Sequence, residues 1–181
     1  MFRYEKKARR KGHRIIVGID EAGRGPLAGP VVAASVLIGK NFFDARIDDS
    51  KKLSPAKRNK AFCEIVRNCL ISVGIVNNIQ IDKVNILNAT CRAMEAAVLG
   101  LGVKPDCLLI DGNIQLDLPF YQESIIRGDS KSISIAAASI VAKVTRDAIM
   151  LKFDKQFPQY GFRQHKGYGT EEHLACIQSL G

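Results

Sequence analysis

Apolar residues in this chain come in short runs cut by glycine, proline and polar pairs. Three runs read as strands: residues 14–19, residues 31–38 between Pro30 and Gly39-Lys40-Asn41, and residues 71–76 ending at Asn77-Asn78. Between the second and third, Phe62, Ile65, Val66 and Cys69 recur at helical spacing. Ser54 and Pro55 stand in front of that segment as N-cap and first helical residue, which predicts a helix over 56–70. Residues 82–99 predict a longer helix that stops before Gly100 and Gly102. Residues 107–110 form a short apolar run ending at Asp111-Gly112, and 124–126 predict another strand. The alanine-rich stretch 132–153 and the segment 170–180 read as helices. This order predicts an α/β protein: a mixed sheet flanked by helices in one layered domain over residues 14–181, behind a basic N-terminal extension of residues 1–13.

At 181 residues the chain fits one domain with a well-formed core. Its 27 Lys and Arg against 18 Asp and Glu leave a surplus of +9, which favours an anionic partner: nucleic acid first, an anionic membrane second. Part of the surplus is clustered, in Lys6-Lys7-Ala8-Arg9-Arg10-Lys11 and in Lys51, Lys52, Lys57, Arg58 and Lys60. Five cysteines with no C-x-x-C pair argue for reduced, buried thiols rather than disulfides or a zinc site. The apolar stretch after Arg14 meets Asp20 and Glu21 too soon for a signal peptide or a spanning helix, so a cytoplasmic protein with no membrane partner is expected.

The chemistry concentrates where the first strand ends, in Asp20-Glu21-Ala22-Gly23-Arg24-Gly25-Pro26. Carboxylates at a core edge need a partner, because an unpaired buried charge is expensive. Asp111 ends a second apolar run in the same manner, and ligands of open α/β sheets bind beyond strand ends. Glu21 points away from Asp20 if the strand stays regular, unless a turn redirects it. Asp129, in Arg127-Gly128-Asp129-Ser130-Lys131, reads as either a further ligand or the N-cap of the alanine-rich helix. Asp147, inside that helix, reads as an ion-pair partner. Oxygen ligands from separate segments suit Mg²⁺ or Mn²⁺, and two such ions support in-line displacement at a phosphodiester.

The glycines that follow have two readings. A dinucleotide loop requires strand, turn and then helix, whereas Gly23-Arg24-Gly25-Pro26 leads through Gly29-Pro30 into a β-branched strand. The better reading is a backbone that approaches a substrate sugar, with Arg24 on a phosphate.

These residues resemble the opening motif of the type 2 ribonucleases H (ribonuclease HII). Asp49-Ser50-Lys51-Lys52-Leu53-Ser54, Leu109-Ile110-Asp111-Gly112-Asn113, Gly128-Asp129-Ser130-Lys131, the block from Ala136 to Asp147, Phe157-Pro158-Gln159-Tyr160-Gly161-Phe162 and His165-Lys166-Gly167-Tyr168 follow in the family's order. The resemblance implies a ribonuclease H-like fold with a five-stranded mixed sheet between helices. It implies an endonuclease that hydrolyses the RNA of RNA–DNA hybrids and cuts 5′ to a single ribonucleotide in duplex DNA, leaving 5′-phosphate and 3′-hydroxyl ends. The family's catalytic metal ligands fall on Asp20, Glu21, Asp111 and Asp129, for two Mg²⁺ or Mn²⁺ ions. Its ribonucleotide-sensing loop falls on Gly23, Arg24 and Gly25, reading the 2′-hydroxyl that separates RNA from DNA. Its sugar-stacking tyrosine falls on Tyr168, and Lys51 and Lys52 become phosphate contacts. A monomer is implied, and no obvious clamp-binding tail is present.

Two departures from the family shape the expectations. Gly169 stands where proline is common, which loosens the tyrosine loop and softens junction discrimination. The basic tail of many relatives is absent after Gly181, which lowers the duplex contacts expected. A non-catalytic hybrid-binding module is the alternative to an active enzyme, opposed by the intact carboxylate set. A nucleotide-cofactor protein is the more distant one.

Overall fold

The first strand, β1 (Ile16–Ala22), is buried through its first five residues, so both of its faces must be covered. A computed structural model describes residues 1–39 and 53–181 and supplies the covers. β1 lies at the centre of a five-stranded sheet. It runs antiparallel to β2 (Val31–Ile38) and parallel to β4 (Cys107–Asp111). β3 (Cys69–Val76) pairs antiparallel outside β2, and β5 (Tyr121–Ile125) pairs parallel outside β4, giving the order β3-β2-β1-β4-β5. The mixed sheet flanked by helices is the architecture expected.

Alternation along β1 divides the core. Val17 and Ile19 pack with Ala93, Met94 and Ala97 of α3 (Asn78–Leu99). On the opposite face, Ala136–Ala138 and Ile140 to Ala142 of α4 (Ile133–Gln156) pack with β2 and with Ile65 of α2 (Pro55–Asn68). Each large aliphatic side chain taken out of water there contributes about 1.5–3 kcal/mol. Gly18 makes this closeness possible, since a Cβ there would overlap the Ser134 backbone at the start of α4. Gly74 does the same for α3, where a Cβ would overlap the Ala93 carbonyl.

Helix starts follow the capping residues. Ser54 accepts from the Lys57 N–H, Asn77 and Gln80 form a capping box, Ser132 accepts from the Ile135 N–H, and Thr170 opens the last helix, α6 (Glu171–Leu180). α3 begins four residues earlier than the periodicity predicts and breaks at Asn85, whose φ is 66°. The Asn85 side chain accepts from the Asn88 N–H and so caps a second start. The α2 helix gives way to β3 at Cys69, two residues earlier than expected, and β5 begins at Tyr121 rather than Ser124. A short helix, α5 (Phe162–His165), lies between α4 and α6.

The basic segment ahead of β1 holds a helix, α1 (Arg3–Arg10), where the sequence reading placed no element. It is docked. Ala8 packs among Ile16, Cys107, Leu109, Ile125 and Ile135. Glu5 Oε1 accepts from Ser132 Oγ (2.5 Å), Ser134 Oγ (2.7 Å) and the Ser134 N–H (3.1 Å), and the Ile133 N–H donates to the Met1 carbonyl at 3.1 Å. A carboxylate from α1 thus neutralises orphan donors at the α4 N-terminus. All five cysteines are free, but only Cys107 is buried; Cys63 is exposed on the outer side of α2 and the others are half-buried. Among the described residues, no helix is long and apolar enough to cross a membrane.

Candidate active site

Ile19 pairs with Ile110 across the parallel β1–β4 ladder, so the residues one step on come side by side: Asp111 ends β4, and Asp20 lies two residues before the end of β1, which runs past the expected boundary at Ile19. Asp20 is buried on the α4 face. Its Oδ1 accepts the Glu21 N–H at 2.7 Å, and Ser139 of α4 hydrogen-bonds the same carboxyl group. Burial, the Glu21 charge and the Asp111 charge hold the Asp20 carboxyl well above the ordinary carboxylate range. Asp111 Oδ1 accepts from the Gly128 N–H at 2.6 Å, which fastens the 3₁₀ turn Gly128–Ser130 to the end of β4. That turn carries Asp129, which is buried. Ser132 caps α4, so the N-cap reading of Asp129 is removed.

Strand β1 continues through Ala22, yet the Glu21 carboxyl lies near enough to interact with those of Asp20 and Asp111. Its Oε1 accepts from Arg24 Nη1 at 3.2 Å, while Oε2 is buried with no hydrogen-bond partner among the described residues. Burial raises its pKa and Arg24 opposes the rise. As they stand, no three Asp, Glu, His or Cys side chains among the described residues gather into one ligand set. The donors nevertheless fit a hard divalent cation. They are carboxylates, Asp111 acts electrostatically on both Asp20 and Glu21, and the orphaned Glu21 oxygen lacks a positive partner.

The glycine loop is shaped by sterics. Gly23 has φ +111°, and a Cβ there would overlap the Pro30 carbonyl and approach Arg146 Nε at 2.6 Å. The loop leads into antiparallel β2 rather than a helix, which retires the dinucleotide reading. At Gly25 a Cβ would lie 3.5 Å from the Tyr168 ring, so the glycine and tyrosine loops meet. Gly167 carbonyl oxygen accepts from the Leu27 and Ala28 N–H groups at 2.8 and 3.2 Å. Tyr168 is 46% exposed, with Lys143 Nζ 6.0 Å from its ring centre. Gly169 abuts Leu27 rather than open space. Behind the tyrosine, the Tyr168 carbonyl meets His173 Nδ1 at 2.9 Å, and His173 stacks on His165 with ring centres 4.4 Å apart.

Arg146 is the residue that sequence reasoning missed. It is 1% exposed, and its guanidinium donates to the carbonyls of Pro30 (3.0 Å), Ala28 (2.9 Å) and Lys166 (2.9 Å). One buried cation therefore ties the glycine loop to the tyrosine loop. The available signal was an arginine on the same buried helical stripe as Ser139, Ala142 and Met150. Asp147 pairs with Lys143 at 2.8 Å, as expected of a structural ion pair. Lys51 and Lys52 lie outside the described residues.

Comparison with known proteins follows the same outline. The family model described as Ribonuclease HII matches residues 17–180. A ribonuclease HII of Geobacter sulfurreducens is 53% identical over 179 residues, spanning 98% of this chain and 82% of that protein. The crystal structure of ribonuclease H2 from Pyrococcus horikoshii is similar with a TM-score of 0.77 at 27% identity, over 89% of this chain and 83% of that one. The RNase HII of an Archaeoglobus fulgidus PCNA complex is similar with a TM-score of 0.76 at 26% identity, over 92% and 87% of the two chains. With a carboxylate-lined strand end beside a glycine loop, and with these likenesses over nearly its full length, the chain belongs to the ribonuclease HII family, endoribonucleases that act on RNA–DNA hybrids.

Proposed function

We propose that this enzyme cuts hybrids and also nicks duplex DNA 5′ to a single ribonucleotide, leaving 5′-phosphate and 3′-hydroxyl ends. The observation that carries the proposal is the meeting of Gly25 with the Tyr168 ring beside the strand end that holds Asp20, Glu21 and Asp111. In this reading Asp20, Glu21, Asp111 and Asp129 hold two divalent ions, Mg²⁺ or Mn²⁺. Such a pair supplies an activated water and support for the departing 3′-oxygen.

The protein's own groups do the rest. The Gly23–Gly25 backbone approaches the 2′-hydroxyl, and Arg24 moves from Glu21 to a substrate phosphate. Tyr168 stacks on the sugar at the RNA–DNA junction, and Lys51 and Lys52 hold phosphates. Ser139 and the Gly128 N–H keep the Asp20 and Asp111 carboxylates oriented. The enzyme works as a monomer in the cytoplasm.

The test is a labelled DNA duplex containing one ribonucleotide, incubated with Mg²⁺, with Mn²⁺ and with chelator. A single metal-dependent cut on the 5′ side supports the reading. Cutting of long hybrids alone retires the assignment of the glycine loop and Tyr168. Retained binding without cutting points to a non-catalytic hybrid-binding module.

A further inference from the structure

The basic run that opens the chain takes no part in the site described above, yet it is docked beside it. Phe2 pairs with Ser132, and Glu5 bonds Ser132 and Ser134, immediately after the turn that carries Asp129. Exposed Arg127 and Lys131 flank that turn, and the exposed cations of α1 continue from it. Arg3, Lys6 and Arg10 form one helical stripe at spacings of three and four, and together with Met1 and Phe2 they line a concavity of about 450 Å³.

This stripe does not serve the helix. Like charges three and four residues apart weaken it, and Arg3 and Lys6 stand toward the end where the macrodipole disfavours cations. Lys7 is paired with Glu123 at 2.6 Å and Lys11 donates to the Tyr121 hydroxyl at 2.9 Å. Among the described residues, Arg3, Lys6, Arg9 and Arg10 have no ion pair. Nor does the face suit a lipid surface, because Phe2 and Tyr4 pack inward against the core and leave no apolar ridge to insert.

We propose that the Arg3, Lys6 and Arg10 stripe of α1 grips the phosphate backbone of the hybrid duplex flanking the cleavage site. The inference rests on the activity on hybrids described above. From Arg3 to Arg10 the helix rises about 10 Å, close to the axial rise of three phosphates on one strand. The stripe supplies duplex contacts from the N-terminal side of the domain.

The experiment compares the full chain with the triple variant Arg3→Gln, Lys6→Gln, Arg10→Gln. Glutamine keeps helix propensity, and none of these residues touches the core. Binding is measured with chelator present, on a long hybrid and on one too short to extend past the active-site groove, across a range of salt. On the long hybrid the slope of log affinity against log salt should fall by about 2–3, and the parent should lose roughly 40-fold more affinity than the variant over a fourfold rise in salt. KM on the long substrate should rise with kcat unchanged, and the short duplex should be bound equally by both proteins. An unchanged slope on the long duplex, or equal losses on both, overturns the proposal. So does loss of binding to anionic vesicles with hybrid binding intact, which assigns the face to a membrane. If the parent itself cuts no hybrid, the underlying activity fails instead, and that outcome is read separately from the salt slope.

Discussion

Arg24 Nη1 stands 3.2 Å from Glu21 Oε1, across the first turn beyond β1. Arg24 thus gives Glu21 a positive partner that Asp20 does not have among the described residues, and it occupies the oxygen next to the orphaned one. A cation arriving at Glu21 has to compete with it. Arg24→Gln is therefore expected to bind Mn²⁺ more tightly by roughly two- to fivefold, in line with a partly exposed pair of about 0.3–1 kcal/mol. The same change should weaken hybrid binding. Calorimetric titration of Mn²⁺ into the substrate-free protein checks the first effect, and unchanged Mn²⁺ affinity would refute it.

The raised pKa of Asp20 has a sign. Its causes are burial first, then Glu21 and Asp111. The folded, metal-free chain keeps a proton there that the unfolded chain releases. Stability from this group is complete below the ordinary aspartate range and is lost as pH rises through the folded value. Asp20→Asn should abolish cleavage yet melt higher than the parent near neutral pH without metal, by the order of 2–4 °C for each kcal/mol recovered. The difference should vanish toward acid pH. Thermal melts across pH, with chelator, decide it.

Replacing Arg146 exposes the carbonyls of Ala28, Pro30 and Lys166 to a dry interior. Arg146→Ala is expected to cost on the order of 3–5 kcal/mol in denaturant unfolding. Arg146→Lys should fold better but discriminate worse, since one ammonium cannot reach three carbonyls at the guanidinium's geometry. The readout is the ratio of cutting at a lone ribonucleotide to cutting in a long hybrid, which should fall in the lysine variant. Added methylguanidinium should partly restore it in Arg146→Ala.

Tyr168 presents its ring to solvent, so truncation should leave stability alone. Tyr168→Ala is expected to lower kcat/KM on a single-ribonucleotide duplex roughly tenfold to a hundredfold, the scale of one stacking contact. Tyr168→Phe should retain most of the rate. Equal rates for alanine and tyrosine on that substrate would remove the stacking role.

Asp20 and Asp111 were legible because each closes an apolar run, and a strand that ends in a carboxylate at a sheet edge announces itself in one dimension. Glu21 was half legible: alternation alone would turn it away from Asp20, and only the fold shows its carboxyl within reach of Asp20 and Asp111, with Arg24 turned back upon it. The first helix was hidden because its period is written in cations, with Ala8 as its one buried apolar residue. The Asn85 break was hidden inside an unbroken helical pattern. Arg146 was the least legible, since its partners are backbone oxygens 116, 118 and 20 residues away. Carbonyls carry no side-chain signature, so a clamp built on them leaves only its arginine in the sequence.

Position 18 acts as a fulcrum. Its missing side chain sets how near α4 lies to β1, and α4 carries Ser139 to one carboxylate and Arg146 to the loop crossing. A single methyl group there would overlap the Ser134 backbone, so α4 would have to shift and carry both supports with it. The spacing between the Asp20 carboxyl and the crossing of the glycine and tyrosine loops is thus held by an atom that is not present.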